Sequence, residues 1–273
     1  MPTTLGVVGA GSVLSALTPS RSRSAEPIDL IFFDTLGALD ADLAGMHGLA
    51  VVASTRELAA RCDVILVATE PGDALDTLEA LAPHLGEDHI VIVSSAGVAL
   101  DRLRSALGPV SALLRIALDR GGVEDGALAV SPEPGTALEV VERTAQVLAC
   151  IGVVEVLPED SLETGNAVIC SSIGFLATAL AGVEDGAVKA GLPRDVARVF
   201  VRQTALATAL LLQDHPGSPA DLKDQVASPG GTTIAGLAVL EDLGVRGAFI
   251  RAVEAAVVRA REKRDEELSH VVE

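Results

Sequence analysis

Through its first 158 residues the chain alternates short β-branched, apolar runs with stretches in which apolar positions recur three or four apart. The runs Leu5–Val8, Ile28–Phe33, Ala50–Ala53, Val64–Ala68, Ile90–Ser94, Leu113–Ile116, Ala127–Val130 and Val153–Leu157 predict strands. Their near-continuous apolarity suits strands covered on both faces, which is the pattern of a largely parallel sheet with helices packed against it. "STRELAARC" carries Ser54 with Glu57 three residues on, a capping box that starts one such helix. Pro158 closes this half. From Ser161 the strand signals stop, and apolar residues take helical spacing over roughly 161–190, 194–214 and 231–264, with breaks at "GLP" (191–193) and "HPGSP" (215–219). The pattern therefore predicts an α/β domain over residues 1–158 followed by an all-helical domain over 159–273.

Composition narrows the function. In 273 residues, 49% are apolar, enough for two cores, and the formal charge is -18. A phosphate backbone selects basic surfaces, so nucleic acid is not an expected partner. Cys62, Cys150 and Cys170 stand far apart in apolar surroundings, which predicts reduced thiols and no metal cluster. No basic segment followed by a hydrophobic core opens the chain, and the expectation is a cytoplasmic protein. Residues Gly165 to Val183 carry no charge for 19 residues, as a membrane span would. Asn166, Ser171, Ser172 and Thr178 interrupt that stretch, and a helix covered by a second subunit shows the same pattern, so the expectation is a homodimer formed through the helical domain and no membrane.

"LGVVGAGSVLSAL" places Gly9 and Gly11 after the first strand, with Ser12 opening the next helix. In that context the first glycine permits a tight turn, and the second lets a pyrophosphate reach backbone N–H groups at the helix N-terminus, as in a Rossmann-like dinucleotide site. Leu14 fills the third glycine position, so the motif is degraded. Asp34 ends the second strand, where a carboxylate accepts from ribose hydroxyls and repels a 2′-phosphate, a preference for NADH over NADPH that nearby Arg21 and Arg23 soften. Ala68, Thr69 and Pro71 in "VATEP", with Ala96 and Gly97 in "SSAGV", extend the shelf along later strand ends. Ordinary turns and a solvated strand-end acid are the plain alternatives.

Late in the chain, "SPGGTTIAGL" (Ser228 to Leu237) precedes an apolar helix. Pro229 cannot continue a helix, Gly230 and Gly231 allow angles other residues resist, and Thr232 or Thr233 can cap a helix starting near Ile234. Exposed N–H donors at a positive helix end suit a carboxylate, and a capped helix start without a ligand is the alternative.

The segment "DLKDQVASPGGTTIAGLAVLEDLGVRGAFIRAVEAAVVRARE", Asp221 to Glu262, resembles the C-terminal signature of the pyrroline-5-carboxylate reductase family. "AVKAGLP" (Ala187–Pro193), "QT" (Gln203–Thr204), "VATEP" for the family's Ala-Val-Lys-Pro and "SSAGV" fall in order with it. The resemblance implies a Rossmann-like domain, then a helical domain that interleaves with a partner's to form a dimer, sometimes a larger ring. It implies reduction of a cyclic imine carboxylate by NADPH or NADH in proline biosynthesis, in a site that includes helical segments of the partner. It assigns Ser228, Gly230, Gly231 and Thr232 to the substrate carboxylate and Thr233 to the imine nitrogen. The chemistry agrees: a cyclic imine is basic enough to be protonated near neutral pH, so hydride transfer needs alignment and one hydrogen-bond partner, which a threonine hydroxyl supplies. The chain has no Tyr, which removes a Tyr-based proton donor.

Two family motifs are altered. Met-Pro-Asn-Thr-Pro is "ALDRG" here (Ala117–Gly121), and Ser-Gly-Ser-Gly-Pro-Ala-Tyr is "ICSSIGF" (Ile169–Phe175). The family's His-Pro is Ser218-Pro219. Arg120 then becomes a candidate carboxylate partner for a related, specialised imine. A catalytically inactive relative that serves binding or assembly, and a β-hydroxyacid-type dehydrogenase using Lys189, are the competing readings.

Overall fold

The computed structural model describes residues 3–9, 28–34, 50–94, 97–109, 112–118 and 126–269. The chain divides into two compact units, Met1–Cys170 with Ala256–Glu273, and Ser171–Ala255.

Among the described residues, the first unit has eight strands: β1 (Thr4–Val8), β2 (Asp29–Phe33), β3 (Ala50–Val51), β4 (Val64–Val67), β5 (Ile90–Val93), β6 (Ala112–Leu118), β7 (Gly126–Pro132) and β8 (Gly152–Val156). They form one sheet in the order β3-β2-β1-β4-β5-β6-β7-β8. Every pair is parallel except β6 with β7. The apolar pattern predicts the largely parallel sheet that is found, but not the one antiparallel pair. Between Leu118 and Gly126 there is less chain than the dozen or more residues that a parallel crossover needs, so the pair must be antiparallel.

Alternation along each strand sends one set of side chains to each face. Leu5, Val7, Phe32, Leu66, Ile92 and Leu114 line one core, and Val8, Ile31, Ile65, Val67, Val91 and Val93 line the other. The second face is covered by α1 (Thr55–Arg61), α2 (Ala74–Leu81) and α3 (Leu100–Leu107) through Leu58, Leu78, Leu81 and Leu103. Val147 and Leu148 of α4 (Leu138–Leu148) cover the first. The Ser54 cap on α1 is present, with Glu57 N–H donating to Ser54 Oγ at 3.2 Å. Glu57 Oε2 accepts from Ala53 N–H, one residue before the cap. Cys62 and Cys150 are buried free thiols, and burial pushes their pKa values up to about 12 and about 11; Cys170 is only half-buried.

After β8 the chain is helical: α5 (Glu159–Asn166), a π-helical turn (Ala167–Ser171), α6 (Ser172–Lys189), α7 (Arg194–Asp214), α8 (Pro219–Val226), α9 (Thr232–Asp242) and α10 (Val245–Ser269). Two expectations are corrected. Residues 231–264 form two helices, separated where Leu243 N–H bonds to Val239 O and Gly244 N–H to Glu241 O. An additional helix, α8, occupies 219–226, started by Ser218 N–H donating to Asp221 Oδ2 at 2.6 Å. The stretch Glu159–Lys189 is long and apolar enough to cross a membrane by length and composition, and little of it is buried inside the chain. In the second unit Ile173, Leu176, Val183, Phe200, Leu210 and Leu243 are among the exposed apolar side chains. A groove of about 240 Å³ between α6 and α7 is lined by Leu180, Val183, Leu192, Phe200 and Val201.

Candidate active site

Sheet register brings four of the predicted coenzyme residues, Gly9, Asp34, Ala68 and Thr69, to one edge. Val8 pairs with Phe33 on one side and Val67 on the other, and Val67 pairs with Val93, so β2, β1, β4 and β5 end side by side. The ladder continues past the strand ends: Gly9 N–H donates to Phe33 O at 3.1 Å, Ala68 N–H to Val8 O at 2.8 Å, and Ser94 N–H to Val67 O at 2.8 Å. Asp34, Gly9, Ala68 and Thr69 therefore follow directly on neighbouring strands. Strand order reverses between β1 and β4, and that crevice is where open α/β sheets hold dinucleotides. Pro71 opens a 3₁₀ turn, Pro71–Asp73, and Gly97 takes φ +86° ahead of α3. Gly11, Ser12, Ala96 and Arg120 lie outside the described residues.

The turn at Gly9 has no room for a side chain. Its φ is +78°, and a Cβ there would meet Thr69 Cα and N at 2.9 Å. Thr69 Oγ1 is buried with no hydrogen-bond partner among the described residues. A glycine turn at the switch point beside an unsatisfied hydroxyl fits a polar, extended ligand such as a dinucleotide.

The second group of residues meets at the start of α9. Here the structure corrects the predicted cap. The helix begins at Thr232, two residues earlier than expected, and Gly231 holds the cap position (φ -80°, ψ 174°) with no side-chain cap bond. A Cβ on Gly231 would meet Ser228 Oγ, which would have to rotate away, and would press on Ser228 O at 3.1 Å. Gly231 N–H donates to Ser228 O at 3.0 Å, and the first intrahelical bond is Ala235 N–H to Gly231 O at 3.3 Å. The N–H groups of Thr232, Thr233 and Ile234 thus precede the helical ladder, at its positive end, with no capping side chain. Ser228, Thr232 and Thr233 are exposed within the chain. Upstream, Ser218 Oγ donates to Asp221 at 2.8 Å, and Ser218's two hydrogen bonds hold the Asp221 carboxyl below the usual carboxylate range.

Comparison with known proteins places the chain in a family. The family described as pyrroline-5-carboxylate reductase dimerisation matches residues 159–263. A pyrroline-5-carboxylate reductase of Synechocystis is 32% identical over 261 residues, 94% of this chain and 97% of that protein. The chain belongs to the pyrroline-5-carboxylate reductase family. The fold agrees: a pyrroline-5-carboxylate reductase structure from Coxiella burnetii superposes with TM-score 0.88 at 24% identity, covering 96% of this chain and 99% of that one. A pyrroline carboxylate reductase of Plasmodium falciparum with NADP bound has TM-score 0.80 at 22% identity, covering 96% and 98%.

The two altered reductase motifs lie against each other. "ICSSIGF" begins inside the π-helical turn, and Cys170 Sγ lies 3.3 Å from the Leu118 carbonyl of "ALDRG" and 3.2 Å from Asn166 Oδ1. Ala117 packs with Leu162 and Ile169 in one apolar cluster. In this chain Ile169, Cys170 and Ser171 of "ICSSIGF" lie in the π-helical turn. Lys189, which a β-hydroxyacid-type dehydrogenase would need, is the exposed last residue of α6.

One residue beneath the site escaped the sequence reading. Arg115, inside the apolar "LLRI" strand, is 2% exposed and donates from Nη2 to Glu163 Oε1 at 2.9 Å and from Nη1 to Glu159 Oε1 at 3.2 Å. A lone charge in a buried strand was the available signal, because burial is tolerated only with a partner. Glu163 is also 2% exposed, so Glu163→Ala leaves a guanidinium half-paired in the core. The expected loss is about 3–5 kcal/mol in urea unfolding; a variant as stable as the parent would show that the pair does not hold α5 to β6.

Proposed function

We propose that the protein is an NAD(P)H-dependent reductase that transfers a hydride to the C=N bond of a cyclic imine carboxylate, pyrroline-5-carboxylate giving proline, or a related imine. The observation that carries this reading is the start of α9, where a glycine cap leaves three main-chain N–H groups without a side-chain acceptor. Those amides, with Ser228 Oγ, receive the carboxylate, and the helix dipole favours its charge. Thr233 carries a hydroxyl one residue into the helix and serves the imine nitrogen, keeping its proton in place as the carbon is reduced. Gly230 shapes the turn with φ +67°. Arg120 is a further partner for the carboxylate of a related imine.

The coenzyme supplies the hydride. Gly9, Gly11 and Ser12 at the first turn, with Ala68, Thr69, Pro71, Ala96 and Gly97 along the next strand ends, are the residues to hold it. Asp34 stands at the end of β2, where a carboxylate meets ribose hydroxyls and repels a 2′-phosphate; it supports a preference for NADH over NADPH. The exposed apolar side chains of α6, α7 and α9 support a homodimer through the helical domain 159–273, with the coenzyme domain over 1–158 and the dimer as the unit of any larger ring. With a charge of -18 and a long apolar helix read as an interface, we place the protein in the cytoplasm, bound to neither nucleic acid nor membrane.

Oxidation of NADH or NADPH driven by pyrroline-5-carboxylate tests the reaction, and a purified protein that turns over neither coenzyme with that imine nor with related cyclic imines contradicts it. Thr233→Ala is expected to lower kcat about 100-fold while coenzyme Kd stays within about twofold; full activity removes Thr233 from the chemistry. For Asp34→Ala, fluorescence titration is expected to bring the NADH and NADPH dissociation constants together, and an unchanged ratio takes Asp34 out of coenzyme selection.

A further inference from the structure

The helix α3 follows directly on the Gly97 turn, yet its cap residue is Ala99, which has no side-chain acceptor. The acceptor comes instead from 59 residues away: Glu159 Oε1, at the first position of α5, accepts from Leu100 N–H at 2.9 Å. The same oxygen accepts from Arg115 Nη1, and Arg115 is in turn held by Glu163. Arg115 and Glu163 are each 2% exposed, whereas the Glu159 side chain is 33% exposed. The carboxylate is therefore placed by a buried guanidinium and spends one oxygen on the main chain of α3. Val98 and Leu100 are buried at 1% and 2%, and only these and Ala99 follow Gly97 into the helix. A shift of the Leu100 amide is passed to the Gly97 turn, because the intervening residues have no slack to absorb it.

We propose that Glu159 is a positioning residue for the coenzyme turn at Gly97: it fixes the Leu100 amide, and through it the turn, without touching the coenzyme. This rests on the reading that the strand-end shelf binds NAD(P)H. The structural alternative is that Glu159 merely adds to the stability of α5, with Arg115 and Glu163 doing the same. The two differ in what the accessible member of the network controls. Removing Glu159 leaves the buried Arg115–Glu163 bond in place, so the fold is retained while the α3 amide loses its acceptor. Glutamine at 159 keeps an oxygen acceptor for Leu100 N–H.

The test compares Glu159→Ala and Glu159→Gln in the full-length protein by two readouts: amide hydrogen exchange at Leu100, and NADH and NADPH titration. Glu159→Ala is expected to raise exchange at Leu100 at least tenfold and to weaken both coenzymes about five- to tenfold alike, with the melting temperature within a few degrees of the parent. Glu159→Gln is expected to restore both readouts to within about twofold. Unchanged exchange in the alanine variant, or unchanged coenzyme affinity beside a lowered melting temperature, overturns the inference and leaves a purely structural role. A glutamine variant as impaired as alanine also overturns it, since the acceptor geometry would then not be what matters. A parent protein that binds neither dinucleotide overturns the reductase reading and this inference together, whereas binding that both variants keep overturns the inference alone.

Discussion

At the start of α9 residue 231 is a glycine whose Cα lies so close to Ser228 that any side chain there would push the Ser228 hydroxyl aside and press on the Ser228 carbonyl oxygen. On that constraint the proposed chemistry depends. Any of the residues that usually cap helices would satisfy the first amides internally, and the positive end of α9 would be closed to an outside anion. With glycine there, the amides of Thr232, Thr233 and Ile234 stay available and fixed in direction by a helix that costs nothing to reorganise when a carboxylate arrives. The same device operates at Gly9, where Thr69's main chain takes the space of a side chain and β1 and β4 end side by side at the switch point of the sheet. Both halves of the proposed reaction are thus main-chain sites, and the few side chains with chemistry, Thr233 and Asp34, refine them.

Beneath this edge lies a second kind of constraint. A buried arginine in β6 has to be neutralised, and α5 supplies both carboxylates. One of them also bonds to the start of α3, so β6, α5 and α3 share a single polar junction. Near it, the "ALDRG" and "ICSSIGF" segments touch through Cys170 and Leu118. Substitutions that look independent along the chain are neighbours in space, and a change in one alters the room available to the other.

The strands were legible because a sheet covered on both faces demands uninterrupted apolar runs, and all eight appear close to their predicted places. Their largely parallel direction was legible too, except at β6 and β7, whose antiparallel pairing follows from the shortness of their connection rather than from residue type. The helices from 159 onward were legible as helical, and the breaks at 191–193 and 215–219 fall where α6 ends and α7 begins and ends; the C-terminal stretch was not divided, because the break before Val245 interrupts a continuous apolar period and the cap of α9 is a bare glycine that no spacing rule contains. Arg115 shows the remaining gap. Its neighbours in the chain are apolar, and the two acids that define its role lie 44 and 48 residues away.

Whether free amides at the head of α9 hold the substrate's carboxylate is decided by the Michaelis constants of Gly231→Asp and Gly231→Ala. Both add a Cβ against Ser228, but only aspartate offers those amides a carboxylate of its own. A KM for pyrroline-5-carboxylate at least tenfold higher in the aspartate variant than in the alanine variant, at equal coenzyme affinity, is the predicted result. Equal Michaelis constants in the two would contradict it.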